Sequence, residues 1–344
     1  MKRTRKLSDQ VIKKVKTKIK HPPTFEGDMG KITSTGSTLL DLAISGGRSE
    51  FGGLPSGILV EVFGPSGAGK TVLLTEIAGS VKRNGGEVMF KDPEARLDKQ
   101  FAKLFDLDID QVLYDQPDTV PQVFEPIRKW EPEGDNVHGI FADSMAALST
   151  DMEMGGTDKY GMRRAKEFSE QLRQTCRHIK KKNFLMVVSN QVRVNVDAGM
   201  FEEKYSTPGG MGLPFYASVR LKVNRLSKIT KEVSIKGKKL KRVIGIKTLV
   251  DVYKSSVDKP FRQAPITIVF DYGIDDIREN LQYIKDMTGA KNYMVGDVSL
   301  GIAMEDAIRK IEEGNLERKL KRQVVNIWRN VESKFTIPRK SKKR

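Results

Sequence analysis

Apolar residues recur along this chain in short, nearly continuous runs that are separated by longer amphipathic stretches. Runs of this length predict buried β-strands, and the stretches between them have the periodicity of helices. The predicted strands are Ile58–Phe63, Glu87–Phe90, Gly139–Ala142, Phe184–Val188, Ser218–Val223 and Ile244–Val250. Strands and helices that alternate in this way imply an α/β fold with a mostly parallel, twisted sheet covered by helices.

The two ends of the chain have a different pattern. Residues 1–20 combine many Lys and Arg with apolar residues at roughly helical spacing, namely Leu7, Val11, Ile12, Val15 and Ile19. His21-Pro22-Pro23 stops this pattern, so we predict a basic N-terminal helix and a linker within residues 1–33. The apolar stripe of this helix can pack on the core of the same chain or on a neighbouring subunit, and the sequence favours neither alternative. Residues 335–344 are dominated by Lys and Arg and predict a basic tail.

Composition narrows the class of protein. The 344 residues are 38% hydrophobic, which is enough for one large α/β domain with small appendages. Lys and Arg number 61 against 44 Asp and Glu, and the resulting charge of +17 predicts a polyanionic partner. The single cysteine, Cys176, excludes a disulfide framework and suits a reducing cytoplasm. We find no run of eighteen apolar residues, no apolar core of a signal peptide and no amphipathic membrane helix with aromatic anchors.

The segment after the first predicted strand is a phosphate-binding P-loop. It matches G-x-x-x-x-G-K-[ST] at every position and reads Gly64-Pro65-Ser66-Gly67-Ala68-Gly69-Lys70-Thr71. Glycines let successive backbone N–H groups turn toward one anion, and the helix behind adds the positive end of its dipole. Lys70 can reach the β- and γ-phosphates and the Thr71 hydroxyl can bind Mg²⁺. The motif predicts binding of a nucleoside triphosphate and leaves its purpose open.

Two carboxylates extend this prediction. Asp143 ends the strand Gly139–Ala142 and can hold Mg²⁺ through water beside the triphosphate, although strand-end aspartates also cap helices. Its distance from Lys70 along the chain favours the metal role. Glu94 follows the strand Glu87–Phe90 and can orient or deprotonate a water. Taken alone, Glu94 is better explained as a solvated surface residue.

The segments around these sites resemble the bacterial RecA recombinase family. The matching segments occur in family order over residues 34–275 and include Ser34–Ser37, Leu40–Ala43, Gly52–Gly57, Asp92–Asp98, Asp108–Asp110, Gln116–Thr119, Asp143–Leu148, Ser189–Arg193, Gly209-Gly210, Phe215–Leu221 and Pro260–Ala264. The resemblance implies a RecA-like ATPase core at 34–275. Outside this core, the resemblance implies three further parts. These are a basic N-terminal helix and linker at 1–33, which contacts another subunit, then a small C-terminal domain at 276–334, and finally a basic tail at 335–344.

The resemblance also implies roles for single residues. Glu94 corresponds to the glutamate that activates water, and Gln191 to a glutamine that senses the γ-phosphate at the root of a DNA-binding loop. A neutral amide can bond a phosphate oxygen and lose that partner after hydrolysis, although a buried glutamine can also simply bond the backbone. Asp98 and Phe101 correspond to positions that hold and stack on adenine. Phe101 replaces the usual tyrosine and keeps the flat aromatic face.

Two segments resemble the mobile DNA-binding loops of the family. The first spans about residues 150–162 and precedes a helix on which Lys166, Ser169 and Arg173 share one face, where they can contact successive phosphates. A merely solvated charged face is the alternative. The second spans residues 192–211, a length unusual for a structureless loop. Its candidate DNA contacts are Arg193, Phe201, Gly209 and Gly210.

Two departures from the family pattern affect the expected mechanism. The family uses a pair of lysines from the neighbouring subunit at the γ-phosphate, and the segment here reads Lys254-Ser255-Ser256, so only Lys254 matches. Catalysis in trans is then weaker, or Lys259 or a bound metal ion substitutes. Bacterial members usually end in an acidic tail, whereas this tail is basic, which predicts readier capture of duplex DNA.

The sequence thus predicts a cytoplasmic DNA strand-exchange recombinase that uses ATP and Mg²⁺. We expect it to form a helical filament on single-stranded DNA and to pair this strand with homologous duplex DNA, with a loading mediator and a single-strand-binding protein as possible partners. Two alternatives are a RecA-fold DNA motor or helicase and a non-hydrolysing DNA-coating mediator. The intact set of Lys70, Thr71, Glu94, Asp143 and Gln191 argues against the second alternative.

Overall fold

The computed structural model describes residues 30–148, 162–194, 205–206 and 212–337. Its α-helices are α1 (Thr38–Ser45), α2 (Lys70–Arg83), α3 (Lys99–Lys103), α4 (Val120–Lys129), α5 (Met162–Lys182), α6 (Gly212–Tyr216), α7 (Asp276–Thr288), α8 (Met304–Glu313) and α9 (Glu317–Lys334). Its strands are β1 (Ile32–Thr33), β2 (Leu54–Pro55), β3 (Ile58–Gly64), β4 (Val88–Lys91), β5 (Leu113–Asp115), β6 (Gly139–Ala142), β7 (Leu185–Gln191), β8 (Arg193–Val194), β9 (Tyr205–Ser206), β10 (Val219–Ile235), β11 (Lys238–Ser255), β12 (Gln263–Val269), β13 (Gly273–Ile274), β14 (Tyr293–Val295) and β15 (Val298–Gly301). Short 3₁₀ turns lie at Ile109–Gln111 and Met145–Ala147.

The described residues divide into two compact units, one of residues 30–46 and 52–275 and the other of residues 47–51 and 276–337. The larger unit contains a nine-stranded sheet of order β13-β12-β11-β10-β3-β7-β6-β4-β5. Strands β10, β3, β7, β6, β4 and β5 run parallel to one another, whereas β11 pairs antiparallel with β10 and the sheet continues through β12 and β13 in further antiparallel pairs. The predicted α/β class with a mostly parallel sheet is therefore confirmed.

Burial explains why the central strands have continuous apolar sequences. Every residue of β6 is buried, as are the first six of β7, because helices cover both faces of a parallel sheet. One core cluster joins the sheet to α4 and α5 through residues that include Leu59, Phe124, Ile140, Phe168 and Met186. The parallel strands end at one edge of the sheet, and this edge collects the residues that follow each strand.

Strands β10 and β11 extend beyond the sheet as a two-stranded ribbon. Their outer part, residues 225–243, is almost entirely exposed, and a two-residue turn at Lys236 and Gly237 connects the strands. Both turn residues have positive φ, +48° and +76°, which matches the twist of a tight hairpin. We call residues 225–243 the basic ribbon, because eight Lys or Arg accompany a single Glu in it.

The smaller unit is built from α7, α8, α9 and the β14–β15 hairpin. Its buried side chains include Leu281, Ile284, Ile311, Leu320 and Val324, which lie on the inner faces of the three helices. Across the described ranges, no helix has both the length and the apolar character that a membrane span requires.

Candidate functional site

The P-loop connects the carboxyl end of β3 to the first turn of α2. Gly67 and Gly69 have φ of +68° and +98°, in the left-handed region that favours glycine. A Cβ on Gly64 would lie 2.2 Å from the carbonyl oxygen of Val223, and one on Gly69 would lie 2.4 Å from Ile268. The loop therefore requires glycine both for its turns and for its close packing against β10 and β12.

Lys70 begins α2 and its side chain folds back over the loop. Its Nζ donates to the carbonyl oxygens of Gly64 at 3.0 Å and Pro65 at 2.9 Å. Burial lowers the pKa of the Lys70 ammonium from its usual value, while the charges of Asp143 and Glu94 oppose this shift. Two acidic groups thus favour a charged ammonium at the point where the motif predicts phosphate.

Asp143 lies at the end of β6 and accepts hydrogen bonds from two hydroxyls. Thr71 Oγ1 donates to Asp143 Oδ2 at 2.5 Å, and Ser189 Oγ on β7 donates to Asp143 Oδ1. The sequence predicted Thr71 and Asp143 as metal ligands, and the fold brings their oxygens together. The described residues contain no group of three or more His, Cys, Asp or Glu that could hold a metal ion. Mg²⁺ at this place would therefore take its other ligands from phosphate and water, as it usually does in nucleotide sites.

Glu94 and Gln191 meet although 97 positions separate them in the sequence. Gln191 ends β7, and its Nε2 donates to Glu94 Oε1 at 3.2 Å. Glu94 Oε2 also pairs with Arg96 Nε at 2.7 Å, and the Glu94 side chain is only 14% exposed. Glu94 is therefore held in the site by two contacts, unlike a solvated surface glutamate.

A cavity of about 330 Å³ unites these groups. The residues that line it include Ser66, Gly67, Gly69, Lys70, Thr71, Glu94, Phe101, Asp143 and Gln191. Asp98 caps α3 by accepting from the backbone N–H groups of Gln100 and Phe101, so it orients the turn that carries Phe101. A larger cavity of about 930 Å³ beside β5 and α4 contains none of the predicted site residues. The smaller cavity is therefore the candidate site on chemical grounds.

The predicted DNA-binding residues have different placements. Lys166 and Arg173 are exposed on α5, whereas Ser169 on the same helix is half-buried, and a Cβ on Gly212 would lie 2.6 Å from its Oγ. Arg193 belongs to β8, which pairs with β9, a pairing that the sequence did not predict. Phe201, Gly209 and Gly210 lie outside the described residues, as does most of both predicted loops.

Lys254 lies on β11 and lines no part of the cavity in its own chain. Its Nζ donates to the carbonyl oxygens of Pro214 and Phe215, each at 2.9 Å. Burial, followed by the nearby Arg220, lowers the Lys254 pKa from its usual value. The predicted role of Lys254 at the γ-phosphate of a neighbouring subunit stays a prediction.

Besides the β8–β9 pairing, three features of this unit were not predicted from the sequence. The sequence identifies Ser189 only as a member of a matching segment and Glu61 only as a member of a strand, although a carboxylate inside an apolar strand is a recognisable signal. The basic ribbon was missed because its lysines hide the alternation that identifies strands.

Comparisons with known proteins agree with the geometry. The family described as RecA N-terminal domain matches residues 23–275. The chain is 35% identical to Protein RecA of Clostridioides difficile (strain 630) over 292 residues, which cover 83% of this chain and 79% of that protein. It is 34% identical to Protein RecA of Thioalkalivibrio sulfidiphilus (strain HL-EbGR7) over 84% of this chain and 83% of that protein. Protein RecA of Colwellia psychrerythraea (strain 34H / ATCC BAA-681) is 34% identical over 72% of this chain and 68% of that protein. The chain therefore belongs to the RecA family of recombinases, which are DNA-dependent ATPases.

Proposed function

We propose that this protein forms an ATP-dependent helical filament on single-stranded DNA and catalyses strand exchange with homologous duplex DNA. The observation that carries the proposal is the Gln191–Glu94 hydrogen bond at the P-loop cavity. Gln191 ends β7, and the segment that resembles a DNA-binding loop begins at the next residue. A change at the nucleotide can therefore reach the DNA-binding segment through one side chain.

Hydrolysis is assigned to the groups that line the cavity. Lys70 balances charge on the β- and γ-phosphates. The Thr71 hydroxyl binds Mg²⁺ directly, and Asp143 holds it through water. When bound, Mg²⁺ neutralises charge that develops on the phosphates. Glu94 orients the attacking water and accepts its proton, and its contacts with Gln191 and Arg96 support this role.

Gln191 is assigned the sensor role. Its amide donates to Glu94 in the structure, and we propose that it exchanges this partner for a γ-phosphate oxygen when ATP binds. The exchange links the order of the following loop to the nucleotide. Because coupling is reciprocal, ATP favours the DNA-competent state and DNA favours ATP binding.

DNA contacts are assigned to residues of α5 and of the segment that follows Gln191. Lys166, Ser169 and Arg173 on α5 contact phosphates of the bound strand, together with Arg193, Phe201, Gly209 and Gly210. The basic ribbon adds a second charged surface, because its eight cations are all exposed. A two-stranded ribbon of this kind fits a groove of duplex nucleic acid.

Self-assembly completes the proposal. Head-to-tail contacts generate an open filament when the rotation between subunits does not close a ring. We propose that Lys254 reaches the neighbouring nucleotide in such a filament, with Lys259 or a metal ion replacing the second lysine of the family. A loading mediator, a single-strand-binding protein and a cytoplasmic location belong to the same proposal.

The experiment that tests this function is ATP-dependent joint-molecule formation. A labelled single strand is mixed with a homologous or a scrambled supercoiled duplex, for the wild type, Lys70→Ala and the matched surface variant Lys103→Ala. We expect product only with homology, with the wild type and with Lys103→Ala. DNA-stimulated hydrolysis without a homology-dependent product would favour a motor, and DNA binding without ATP turnover would favour a coating mediator.

A further inference from the structure

A buried polar chain crosses the middle of the large sheet. Glu61 on β3 is fully buried, and its two carboxylate oxygens have separate partners. Oε2 accepts from Arg220 Nε on β10 at 2.5 Å, and Oε1 accepts from Asn190 Nδ2 on β7 at 3.2 Å. Three adjacent parallel strands are thus joined through side chains as well as through their backbones.

On one side, this chain reaches the nucleotide cavity. Asn190 Oδ1 accepts from the backbone N–H of Gln191 at 3.0 Å, and the Gln191 side chain donates to Glu94. The amide nitrogen of Asn190 therefore bonds Glu61, while its amide oxygen bonds Gln191, the residue that faces the cavity. A rotation of Asn190 would release both contacts together.

On the other side, the chain reaches β11. The Arg220 guanidinium carbon lies 4.5 Å from the centroid of the Phe63 ring and 5.4 Å from that of Tyr253. These two rings meet edge to face, with centroids 5.5 Å apart. Tyr253 precedes Lys254, whose pKa is lowered by burial and by Arg220 and raised by Glu61. The environment of Lys254 thus depends on the same ion pair.

Stability alone does not explain this ion pair. Burying two charges costs desolvation free energy, and replacement of a buried pair by apolar side chains of similar volume is often neutral or stabilising. The ion pair instead fixes the relative positions of side chains, because Glu61 can accept hydrogen bonds from both Arg220 and Asn190 only in one arrangement of the three strands. Such an arrangement can set the geometry of a neighbouring site.

We propose that Glu61, Arg220 and Asn190 are positioning residues that aim Gln191 at Glu94 and connect the nucleotide cavity to the Tyr253–Lys254 end of β11. The proposal rests on the proposed sensor function of Gln191 and extends it to three side chains outside the cavity. None of the three lines the cavity, so each acts through the residue that it holds.

The test is a double-mutant cycle read by DNA affinity. The ratio of single-stranded DNA affinity with a non-hydrolysable ATP analogue to that with ADP is measured for the wild type, Asn190→Ala, Gln191→Ala and the double variant. We expect each single variant to lower this ratio about tenfold. The double variant should be no worse than Gln191→Ala, because Asn190 acts through Gln191.

Asn190→Ala is the informative variant because it leaves the Glu61–Arg220 pair in place. Glu61→Gln and Arg220→Lys extend the test, and Asn190→Gln asks whether a longer amide rescues the ratio. The control is Asp258→Asn, which removes a half-buried ion pair with Arg262 in the same unit. We expect the control to lower the melting temperature and leave the ratio unchanged.

Three outcomes would overturn the inference, in two different ways. A lowered ratio in Gln191→Ala with a wild-type ratio in Asn190→Ala, or losses that multiply in the double variant, would overturn the positioning role alone. A wild-type ratio in both single variants would overturn the sensor function and this inference with it.

Discussion

At the scale of single residues, the Ser189 hydroxyl is the least expected part of the candidate site. It donates to the oxygen of Asp143 that Thr71 does not use, so both carboxylate oxygens have a fixed partner. A fixed carboxylate loses less conformational freedom when a metal ion binds, which makes Ser189 an orienting group for Mg²⁺.

We therefore expect Ser189→Ala to raise the Mg²⁺ concentration needed for half-maximal ATPase activity about tenfold. Saturating Mg²⁺ should restore most of the rate, because the hydroxyl orients a ligand and takes no part in hydrolysis. Magnesium titrations of ATP hydrolysis check this expectation, with Ser80→Ala as a control buried elsewhere in the same unit. An unchanged magnesium requirement would show that the Ser189–Asp143 contact is only structural.

Glu94 shows how far single residues can be interpreted from sequence. Its chemistry is ordinary for a surface residue, and only the family resemblance assigned it to the site. The fold supplies the reason, since β4 and β7 end at the same edge and bring Glu94 to Gln191. Contacts across 97 positions are set by strand order, which no local pattern encodes.

At the scale of elements, the ribbon is the feature with the clearest electrostatic consequence. Its only acid, Glu232, pairs with Lys239 at 3.1 Å, and the other cations project from an exposed two-stranded element. Cations that contact phosphates release condensed counterions, so their number is measurable from the salt dependence of binding.

We predict that combining Lys238→Gln, Lys239→Gln and Lys241→Gln makes the negative slope of log affinity against log salt shallower by about 2 to 3 for duplex DNA. Fluorescence anisotropy at several salt concentrations measures this slope. The matched control is the combination of Lys99→Gln, Lys103→Gln and Lys129→Gln, which removes the same charge from exposed positions in helices. Equal changes in the two triple variants would mean that net charge, and no particular surface, determines the affinity.

Predictability differed between elements for a physical reason. The predicted strand Gly139–Ala142 coincides with β6, because burial on both faces requires a continuous apolar run. The predicted strands Ser218–Val223 and Ile244–Val250 cover only the inner parts of β10 and β11. Outside the sheet neither face of these strands is buried, so only the backbone hydrogen bonds between them require strand conformation. Their side chains can therefore be polar and charged without the apolar pattern that predicts a strand.

At the scale of the whole molecule, the single thiol provides a measure of stability. Cys176 packs against the core cluster, and burial raises its pKa from 9.0 to about 11. The folded state therefore holds the thiol proton more tightly than the unfolded state. The stability that this difference contributes is fully present below pH 9 and is lost as the pH rises toward 11.

We expect alkylation of Cys176 at pH 8 to be about a hundredfold slower in the native protein than in the urea-unfolded protein, since two pKa units separate the thiolate populations. Mass spectrometry after timed iodoacetamide quenching measures both rates. As the pH rises toward 11, the native rate should approach the unfolded one. Equal rates at pH 8 would show that the thiol is accessible in the folded state.

The position of β3 in the sheet has a consequence for synthesis of the chain. β3 ends at Gly64, but its two neighbours begin at Leu185 and Val219. At about 5–20 residues per second, roughly 6–24 s pass between translation of β3 and of its first neighbour. During that interval Leu59, Val60 and Val62 have no strand beside them to complete their burial. We therefore expect the aggregation of newly made chains to depend on the elongation rate as well as on the stability of the folded state.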